Sequence, residues 1–340
     1  MKKIGSFVLL LVLIISLVLP PSNVEASSKQ LEVHFINVGQ GDAILVKAPG
    51  GKTMLVDGGP SSSGKELVAY LKAKGVTKLD YVVATHPDAD HIGGLINVLN
   101  SFKISNFIDS GKAHTSETYY KMLNLIDKKN IKFHIAQNLK TYQLDPKMTM
   151  RVLHVNPKAA DNNDASIVLK LTYNQNSFLL MGDASTKIEE QISSKYNVQS
   201  TVLKAGHHGS DTSSSAKFIS RVKPKIAILS YGKNNSYGHP HAAVKKRLSN
   251  VGAKTYETAK HCNIIVKSTG KKYTVSTDCK KYANATVSKP TTSKPVTTKP
   301  TQTNFKNCTE LRKVYPSGVS SKHAAYQTKF DRDKDGWACE

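Results

Sequence analysis

A ten-residue stretch of this chain, THPDADHIGG at residues 85–94, places four potential metal ligands within six positions. They are His86, Asp88, Asp90 and His91. The apolar run at residues 79–84 predicts a buried strand, so the four groups follow a strand end, which is a rigid support. Imidazole and carboxylate together suit zinc, manganese or iron. Because burying these groups without a partner is costly, the pattern predicts a metal site rather than a polar loop with a helix-capping aspartate.

The first 26 residues have the layout of a secretory signal peptide. Lys2 and Lys3 are basic, residues 7–19 are almost all apolar, and Ala26 ends a small-residue cleavage site. The apolar run of 13 residues is short for the ~20 that a membrane-spanning helix needs, which favours cleavage over an uncleaved anchor. We expect a mature chain that begins near Ser27, contains no transmembrane segment, and is secreted or held at the cell wall.

The charge of the chain favours polyanionic partners. Its formal net charge is +23 at pH 7. A surplus of this size attracts nucleic acid, with DNA as the favoured partner, and also anionic cell-wall polymers. The alternative is a basic surface that serves only solubility.

The four cysteines fall into two local pairs. Cys262 and Cys279 flank a predicted hairpin, and Cys308 and Cys339 flank the C-terminal segment. An even count in an exported chain predicts two disulfides. Of the three possible connectivities we favour the two local ones. A structural zinc site is disfavoured, because no C-x-x-C motif occurs.

The chain divides into a large domain, a linker and a small module. Residues 27–285 alternate strand and helix signals and predict a layered α/β domain. Predicted strands lie at 31–36, 43–46, 53–56, 79–84, 167–171, 178–181, 200–203, 226–229 and 264–266, and predicted helices at 64–74, 117–128, 185–195, 214–220 and 242–251. Residues 286–303 are a Lys/Pro/Thr-rich linker. Residues 304–340 are too few to be stable by burial alone and require a disulfide, a metal, or both.

Three further predicted strands of the large domain end in polar groups. Asp57 precedes two glycines, Asp183 follows Gly182, and His207 and His208 form a pair. Glycine beside such groups lets loops approach closely and leaves room for a substrate. Each signal alone is weak, but the four together, in this order, indicate one site.

This set of motifs resembles the metallo-β-lactamase fold superfamily, and more closely the soluble metallo-hydrolase domain of ComEC-type DNA-uptake proteins. The motifs that carry the resemblance lie at residues 37–46, 85–94, 162–169, 179–183 and 204–210. The resemblance implies a four-layer αβ/βα sandwich with two metals at one edge.

The family signature H-x-H-x-D-H corresponds to residues 86–91. The resemblance implies that His86 and Asp88 hold one metal and that Asp90 and His91 hold the other, with Asp183 bridging them. His207, or else His208, matches the last ligand. The third histidine of the first site has no match, since Asn162 or Asn163 stands in its place. The implied cofactors are two divalent ions, zinc or manganese.

The implied chemistry is hydrolysis by a metal-activated hydroxide. Two cations lower the pKa of a water to about 7, and Asp90 would orient the hydroxide and accept a proton. Asp57 would orient a metal-binding histidine, or form only a turn. His239, in a Gly-His-Pro motif of the ComEC-like pattern, would contact a phosphate or protonate the leaving oxygen, or only begin a helix. Lys204, Lys245, Lys246 and Arg247 would bind phosphates or, preferably, belong to a solvated basic face.

The small module begins like an EF-hand loop, with carboxylates at Asp331, Asp333 and Asp335 and a glycine at position six. Glu340 stands at position ten of the loop instead of twelve, a departure that resembles the excalibur calcium-binding domain. This resemblance implies calcium bound by Asp331, Asp333, Asp335, Glu340 and the carbonyl of Trp337. The alternative is a module held by its disulfide alone.

Three functions fit these observations. The leading one is a secreted metal-dependent phosphodiesterase, a deoxyribonuclease that acts on extracellular DNA. The second is a hydrolase of cell-envelope phosphodiesters such as choline or glycerol phosphates. The third is a non-catalytic, calcium-dependent envelope-binding protein.

Overall fold

The computed structural model describes residues 30–282, 304–314, 319–321, 323–331 and 337–339. These residues form two compact units, one before and one after position 286. The expected signal peptide at 1–26 and linker at 286–303 lie outside the described residues and remain predictions. Within the described part of the chain, no helix has the length and hydrophobicity that crossing a bilayer requires.

Two sheets form the centre of the larger unit. Its strands, in chain order, are β1 (Leu31–Phe35), β2 (Ile44–Lys47), β3 (Thr53–Val56), β4 (Lys78–Ala84), β5 (Lys103–Asp109), β6 (Lys132–Ile135), β7 (Thr141–Asp145), β8 (Met148–His154), β9 (Val168–Tyr173), β10 (Asn176–Leu180), β11 (Val202–Lys204), β12 (Ile226–Leu229), β13 (Lys254–Glu257), β14 (Asn263–Ser268) and β15 (Tyr273–Asp278). The first sheet has the order β15-β14-β1-β2-β3-β4-β5-β6, and the second β13-β12-β11-β10-β9-β8-β7.

Helices cover the outer face of each sheet. They are α1 (Gly64–Ala73), α2 (Ala89–Ile92), α3 (Leu95–Ser101), α4 (Glu117–Lys128), α5 (Thr186–Lys195), α6 (Ala216–Val222), α7 (Ala242–Asn250) and α8 (Thr258–His261). One apolar cluster lies between the sheets. A second joins the first sheet to α1, α3 and α4, and a third joins the second sheet to α5, α6 and α7. The expected four-layer αβ/βα sandwich is confirmed.

Alternation along the strands explains why both faces of each sheet are apolar. Val46 and Met54 point into the cluster between the sheets, whereas their neighbours Leu45 and Leu55 point toward the helices. Successive side chains of a strand face opposite sides, so a strand covered on both sides is apolar throughout. This is the pattern from which the strands were predicted.

The parallel strands place several carboxyl ends, and the residues that follow them, at one edge of the sandwich. β3, β4, β5 and β6 run parallel in the first sheet, and β10, β11, β12 and β13 run parallel in the second. Asp57 follows β3, Thr85 and His86 follow β4, and Asp183 follows β10 by three residues. The predicted polar strand ends therefore come from both sheets.

Both predicted disulfides are present. Cys262–Cys279 closes the β14–β15 hairpin, and Cys308–Cys339 closes the smaller unit, each with a Cα–Cα distance of 5.0 Å. The smaller unit contains α9 (Cys308–Val314), β16 (Val319–Ser320) and β17 (Trp337–Ala338). Its small core includes Phe305, Leu311, Val319, Ala325 and Ala338.

Candidate metal centre

Three buried side chains, one from the first sheet and two from the second, form the middle of the site. His91 Nε2 lies 3.3 Å from Asp183 Oδ2, and His208 Nε2 lies 3.1 Å from the same oxygen. The two imidazole Nε2 atoms are 3.3 Å apart. With Asp42, these residues each offer a ligand atom within 4.8 Å of the others. The arrangement is a buried group of oxygen and nitrogen atoms of the kind that binds divalent metals.

Asp57 fixes the ring of His91 from behind. His91 Nδ1 donates to Asp57 Oδ2 at 2.9 Å, which turns Nε2 toward the site. Thr85 donates to the same carboxylate through its backbone N–H at 2.8 Å and its hydroxyl at 2.7 Å. Asp57 is 1% exposed and stands in a left-handed conformation, φ 57°. The structure thus places Asp57 where the sequence predicted, as a support for a candidate ligand.

The same carboxylate also orients His86. Because the Thr85 hydroxyl donates to Asp57, it accepts from His86 Nδ1 at 3.0 Å. His86 Nε2 is buried and has no hydrogen-bond partner among the described residues. The rings of His86 and His91 are 4.1 Å apart between centroids. Both candidate ligands therefore turn their Nε2 atoms toward one region.

Asp88 and Asn162 lie beside His86. Asp88 Oδ2 is 3.5 Å from His86 Nε2, and Asn162 Nδ2 donates to Asp88 Oδ1 at 2.7 Å. Burial alone raises the pKa of Asp88, but His86, Asn162 and His91 together outweigh burial and lower that pKa. Asn162, one of the two asparagines expected in place of a third histidine, is thus the one that contacts a candidate ligand.

The histidine pair at 207–208 departs from the favoured sequence expectation. His208, the alternative, contacts Asp183, and His208 Nδ1 donates to the Ser230 carbonyl at 3.0 Å. His207 Nδ1 instead pairs with Thr212 Oγ1 at 2.9 Å, on a partly exposed side. Both residues have left-handed φ angles, 45° and 53°, in a tight turn that directs the second ring inward. His208 therefore takes the position that His207 was expected to hold.

Asp42 and Lys204 form a buried ion pair that the sequence reasoning missed. Lys204 Nζ lies 2.5 Å from Asp42 Oδ2 and donates to the Ala205 carbonyl at 2.8 Å. Lys204 is 0% exposed, so the expectation of a phosphate contact or a solvated basic face is wrong. Asp42 Oδ1 is 3.7 Å from His208 Nδ1. One oxygen of Asp42 pairs with Lys204, and the other faces Nδ1 of His208, the nitrogen on the far side of the ring from the site. Asp42 therefore supports His208 more than it serves as a metal ligand.

Asp90 and His239 lie at the rim of the cluster. Asp90 Oδ2 is 3.2 Å from His208 Nε2, and Asp90 is only partly buried. The ring of His239 lies 5.5 Å from that of His207 and 6.3 Å from that of His208. Burial, followed by the neighbouring histidines, lowers the pKa of His239 to about 4. His239 is therefore neutral at neutral pH and can donate a hydrogen bond.

The electrostatics of the site fit a cation. Burial alone lowers the pKa of His208, but Asp183 and Asp90 outweigh it and raise that pKa to about 9. For His91, Asp183 and Asp57 likewise outweigh burial and raise the pKa well above its usual value. Asp183 Oδ1 is buried without a hydrogen-bond partner among the described residues. The carboxylates thus favour positive charge at both Nε2 atoms, and a bound cation would take the place of those protons.

The smaller unit shows only part of its expected calcium loop. Asp331 is buried, and its Oδ2 accepts from the Tyr326 hydroxyl at 2.5 Å. The backbone of Trp337 lies in β17. Asp333, Asp335 and Glu340 lie outside the described residues.

The match to a family model defines the class of the protein. The model described as the metallo-beta-lactamase superfamily matches residues 36–233, and the chain belongs to that superfamily. The excalibur calcium-binding domain matches residues 305–340. The larger unit thus has a metallo-hydrolase fold, with a buried site that can hold a metal.

Individual relatives narrow this class. ComE operon protein 3 of Bacillus subtilis (strain 168) is 31% identical over 239 residues, 65% of this chain and 31% of that protein. Competence protein ComA of Neisseria gonorrhoeae is 32% identical over 225 residues, 65% of this chain and 30% of that protein. This chain spans about a third of the length of these relatives. Together with the family models, they confirm the resemblance to a ComEC-like domain followed by an excalibur module.

The C-terminal module has a separate relative. SPbeta prophage-derived endonuclease YokF of Bacillus subtilis (strain 168) is 72% identical over 36 residues, 11% of this chain and 12% of that protein.

Proposed function

We propose that this chain is a secreted metal-dependent phosphodiesterase that cleaves DNA. The observation that carries the proposal is the buried triad of His91, Asp183 and His208, in which two imidazole Nε2 atoms and one carboxylate oxygen lie within 3.3 Å of one another. In a superfamily of metallo-hydrolases this is the chemistry of a metal-binding hydrolytic centre.

The side chains fall into two candidate ligand sets that share Asp183. His86 and Asp88 would hold one divalent ion, with Asn162 beside them. Asp90, His91 and His208 would hold the other. The mixture of carboxylate and imidazole suits zinc or manganese. When bound, the two ions would lower the pKa of a water to about 7 and stabilise charge on the phosphoryl oxygens.

The surrounding residues position these groups. Asp57 and Ser230 hold the Nδ1–H groups of His91 and His208, so that both Nε2 atoms stay available. Asp90 is partly exposed at the rim and is placed to orient the attacking oxygen and accept its proton. His239 is neutral and would donate a hydrogen bond to a phosphoryl oxygen. A neutral imidazole with a low pKa is a poor proton donor to a leaving group, so contact with phosphate is the role that we assign to it.

Four observations support DNA as the substrate and secretion as the destination. The larger unit is similar to a protein named as a competence protein, and the small module is similar to part of a protein named as an endonuclease. The charge of +23 favours a polyanion. Two disulfides are typical of an oxidising, extracellular environment. The apolar N-terminal run is the export signal in this proposal.

The small module would bind calcium through the side chains of Asp331, Asp333, Asp335 and Glu340 and the carbonyl of Trp337. The excalibur match and the buried Asp331 support this assignment. The module would then hold the enzyme near calcium-rich, anionic surfaces of the cell wall.

The test is degradation of end-labelled single- and double-stranded DNA by the mature protein with manganese or zinc added. Asp183→Ala should abolish cleavage, because it removes the carboxylate that lies beside His91 and His208 and that the proposal places in both ligand sets. Asp127→Ala, which changes an exposed aspartate of α4, is the matched control and should retain activity. Absence of cleavage by the wild-type protein with either metal would refute the proposal and direct the search to envelope phosphodiesters.

A further inference from the structure

One exposed aromatic ring lies beside the candidate metal centre. Tyr237 is 64% exposed, the highest value among the large hydrophobic side chains that the structure describes. It belongs to the loop between β12 and α7, residues 230–241, which also carries His239. An exposed ring of this size loses contact with water when a flat partner covers it, which makes it a candidate for binding an aromatic group.

The ring of Tyr237 is stacked on His239. The two ring centroids are 5.4 Å apart and the planes meet at 21°. His239 in turn lies against His207 at 5.5 Å, next to the candidate ligand His208. One face of the tyrosine ring is therefore covered from the side of the metal centre, while its large exposure leaves the other face open.

Hydrogen bonds hold the loop in this shape. Asn235 Nδ2 donates to the carbonyls of Gly232, at 2.9 Å, and His239, at 2.7 Å. The backbone N–H of His239 donates back to Asn235 Oδ1 at 3.0 Å. Gly238, with φ 72°, provides the left-handed turn before His239. The ring is thus presented by a braced loop, so little entropy is lost when a partner stacks on it.

The other side of the same loop borders a basic cleft. Lys233 and Asn235 line a cleft of about 690 Å³ together with Lys280 and Lys281. These three lysines are exposed, and none pairs with a carboxylate among the described residues, although Glu66 also lines the cleft. Unpaired ammonium groups along a groove suit the phosphates of a polyanion. The loop therefore carries the exposed ring of Tyr237 and also borders a lysine-lined cleft that suits a polyanionic backbone.

We propose that Tyr237 is a base-stacking platform that makes single-stranded nucleic acid the preferred substrate of this site. The inference rests on the proposed phosphodiesterase function and narrows its substrate class. In a single strand the flat faces of the bases are free to stack on aromatic side chains, whereas in a duplex they are covered by neighbouring pairs. Glycerol phosphate has no flat face to stack on the ring. The trimethylammonium group of choline can bind an aromatic face by a cation–π interaction, so choline phosphate is the competing ligand, and a substrate comparison based on the bases separates the two.

The experiment compares two substrates that differ only in their bases. Initial rates are measured on a short single-stranded oligodeoxynucleotide and on a fully abasic oligonucleotide of the same length. Tyr237→Ala should raise KM on the base-bearing strand by roughly 5- to 100-fold and leave KM on the abasic strand unchanged. Tyr237→Phe should retain the wild-type values, because it keeps the ring. Tyr120→Ala, which changes an exposed tyrosine on α4, is the control for general surface effects.

Two results would overturn the inference. The first is an equal effect of Tyr237→Ala on both substrates, which would assign the residue to loop structure or phosphate contact. The second is no effect on either. If the wild-type chain cleaves neither substrate, the proposed function fails separately, and equilibrium binding of labelled single-stranded DNA then decides the inference. Weaker binding by Tyr237→Ala but not by Tyr237→Phe supports the platform, and equal binding by all three proteins refutes it.

Discussion

Replacing Asp57 by asparagine would disturb two candidate ligands with one substitution. Asp57 Oδ2 accepts from His91 Nδ1 and from the Thr85 hydroxyl, which in turn accepts from His86 Nδ1. The amide oxygen of asparagine can face the Thr85 backbone N–H or His91, but not both. In the first case an amide N–H faces His91 Nδ1, so the ring proton moves to Nε2 and blocks that atom as a ligand. In the second case the amide N–H of the asparagine faces the backbone N–H of Thr85, so two buried donors meet without an acceptor.

The magnitude of the effect follows from these contacts. Loss of a partner that orients a metal-binding histidine typically costs 10- to 100-fold in metal affinity, or about 1.4–2.8 kcal/mol. The buried, mispaired donor costs the apo fold about 1–3 kcal/mol. A loss near 2 kcal/mol lowers the melting temperature of a unit of this size by roughly 4–8 °C.

Two measurements separate these effects. Metal affinity is determined by competition with a chromogenic chelator, and the melting temperature is measured in excess EDTA. Asp80→Asn is the matched control, because Asp80 is also buried and accepts a backbone N–H, from Thr53 at 2.9 Å, but lies near the start of β4. Asp80→Asn should lower the melting temperature without changing metal affinity. Metal affinity of Asp57→Asn within twofold of wild type would refute the idea that Asp57 sets the tautomer of His91.

Three further outcomes are expected. His208→Ala should lower the metal stoichiometry measured by elemental analysis, whereas His207→Ala should not. The opposite result would show that His207, the residue favoured from the sequence, is the metal ligand. Burial raises the pKa of Glu189 from 4.5 to about 7, so the folded state binds the proton more tightly and stability falls as pH rises between these values. Glu189→Gln should remove this fall in the free energy of unfolding, roughly 3–4 kcal/mol across this pH range, as measured by urea unfolding. An unchanged pH dependence would contradict the assignment. Cys308→Ser opens a bridge between residues 31 positions apart and should cost the module about 3–4 kcal/mol. Because Trp337 is the one tryptophan of the chain, its fluorescence should respond to calcium in the wild type and not in this variant.

The sequence predicted best the strands that are buried on both faces of a sheet. β3 has its predicted bounds, and β10 lies within two residues of them, with its apolar residues Phe178, Leu179 and Leu180 buried. β6 and β13 were not predicted, because most of their residues are exposed or half-buried and carry little apolar signal. Both lie at sheet edges, where pairing with a neighbour replaces hydrophobic periodicity as the cause of strand formation. β5, β7 and β8 were also missed, although each contains buried residues.

The sequence was less informative about the site where contacts join distant residues. The cluster at residues 86–91 is local and was readily predicted. The choice between His207 and His208 depends on the Ser230 carbonyl at the end of β12, which accepts from His208 Nδ1. The Asp42–Lys204 pair joins the end of one sheet to the end of the other. No local pattern encodes such pairs, although a lysine directly after an apolar run, as in Val202-Leu203-Lys204, indicates that its side chain has to find a buried partner.

The division of the site between two sheets links metal binding to the stability of the sandwich. The first sheet provides Asp57, His86 and His91, and the second provides Asp183 and His208. In the metal-free protein the carboxylates hold protons on His91 and His208. A bound ion would replace those protons, link the two sheets, and stabilise the folded state by about 2.7 kcal/mol at a metal concentration 100-fold above Kd. The groups proposed for catalysis would therefore also make this edge of the sandwich depend on metal for part of its stability.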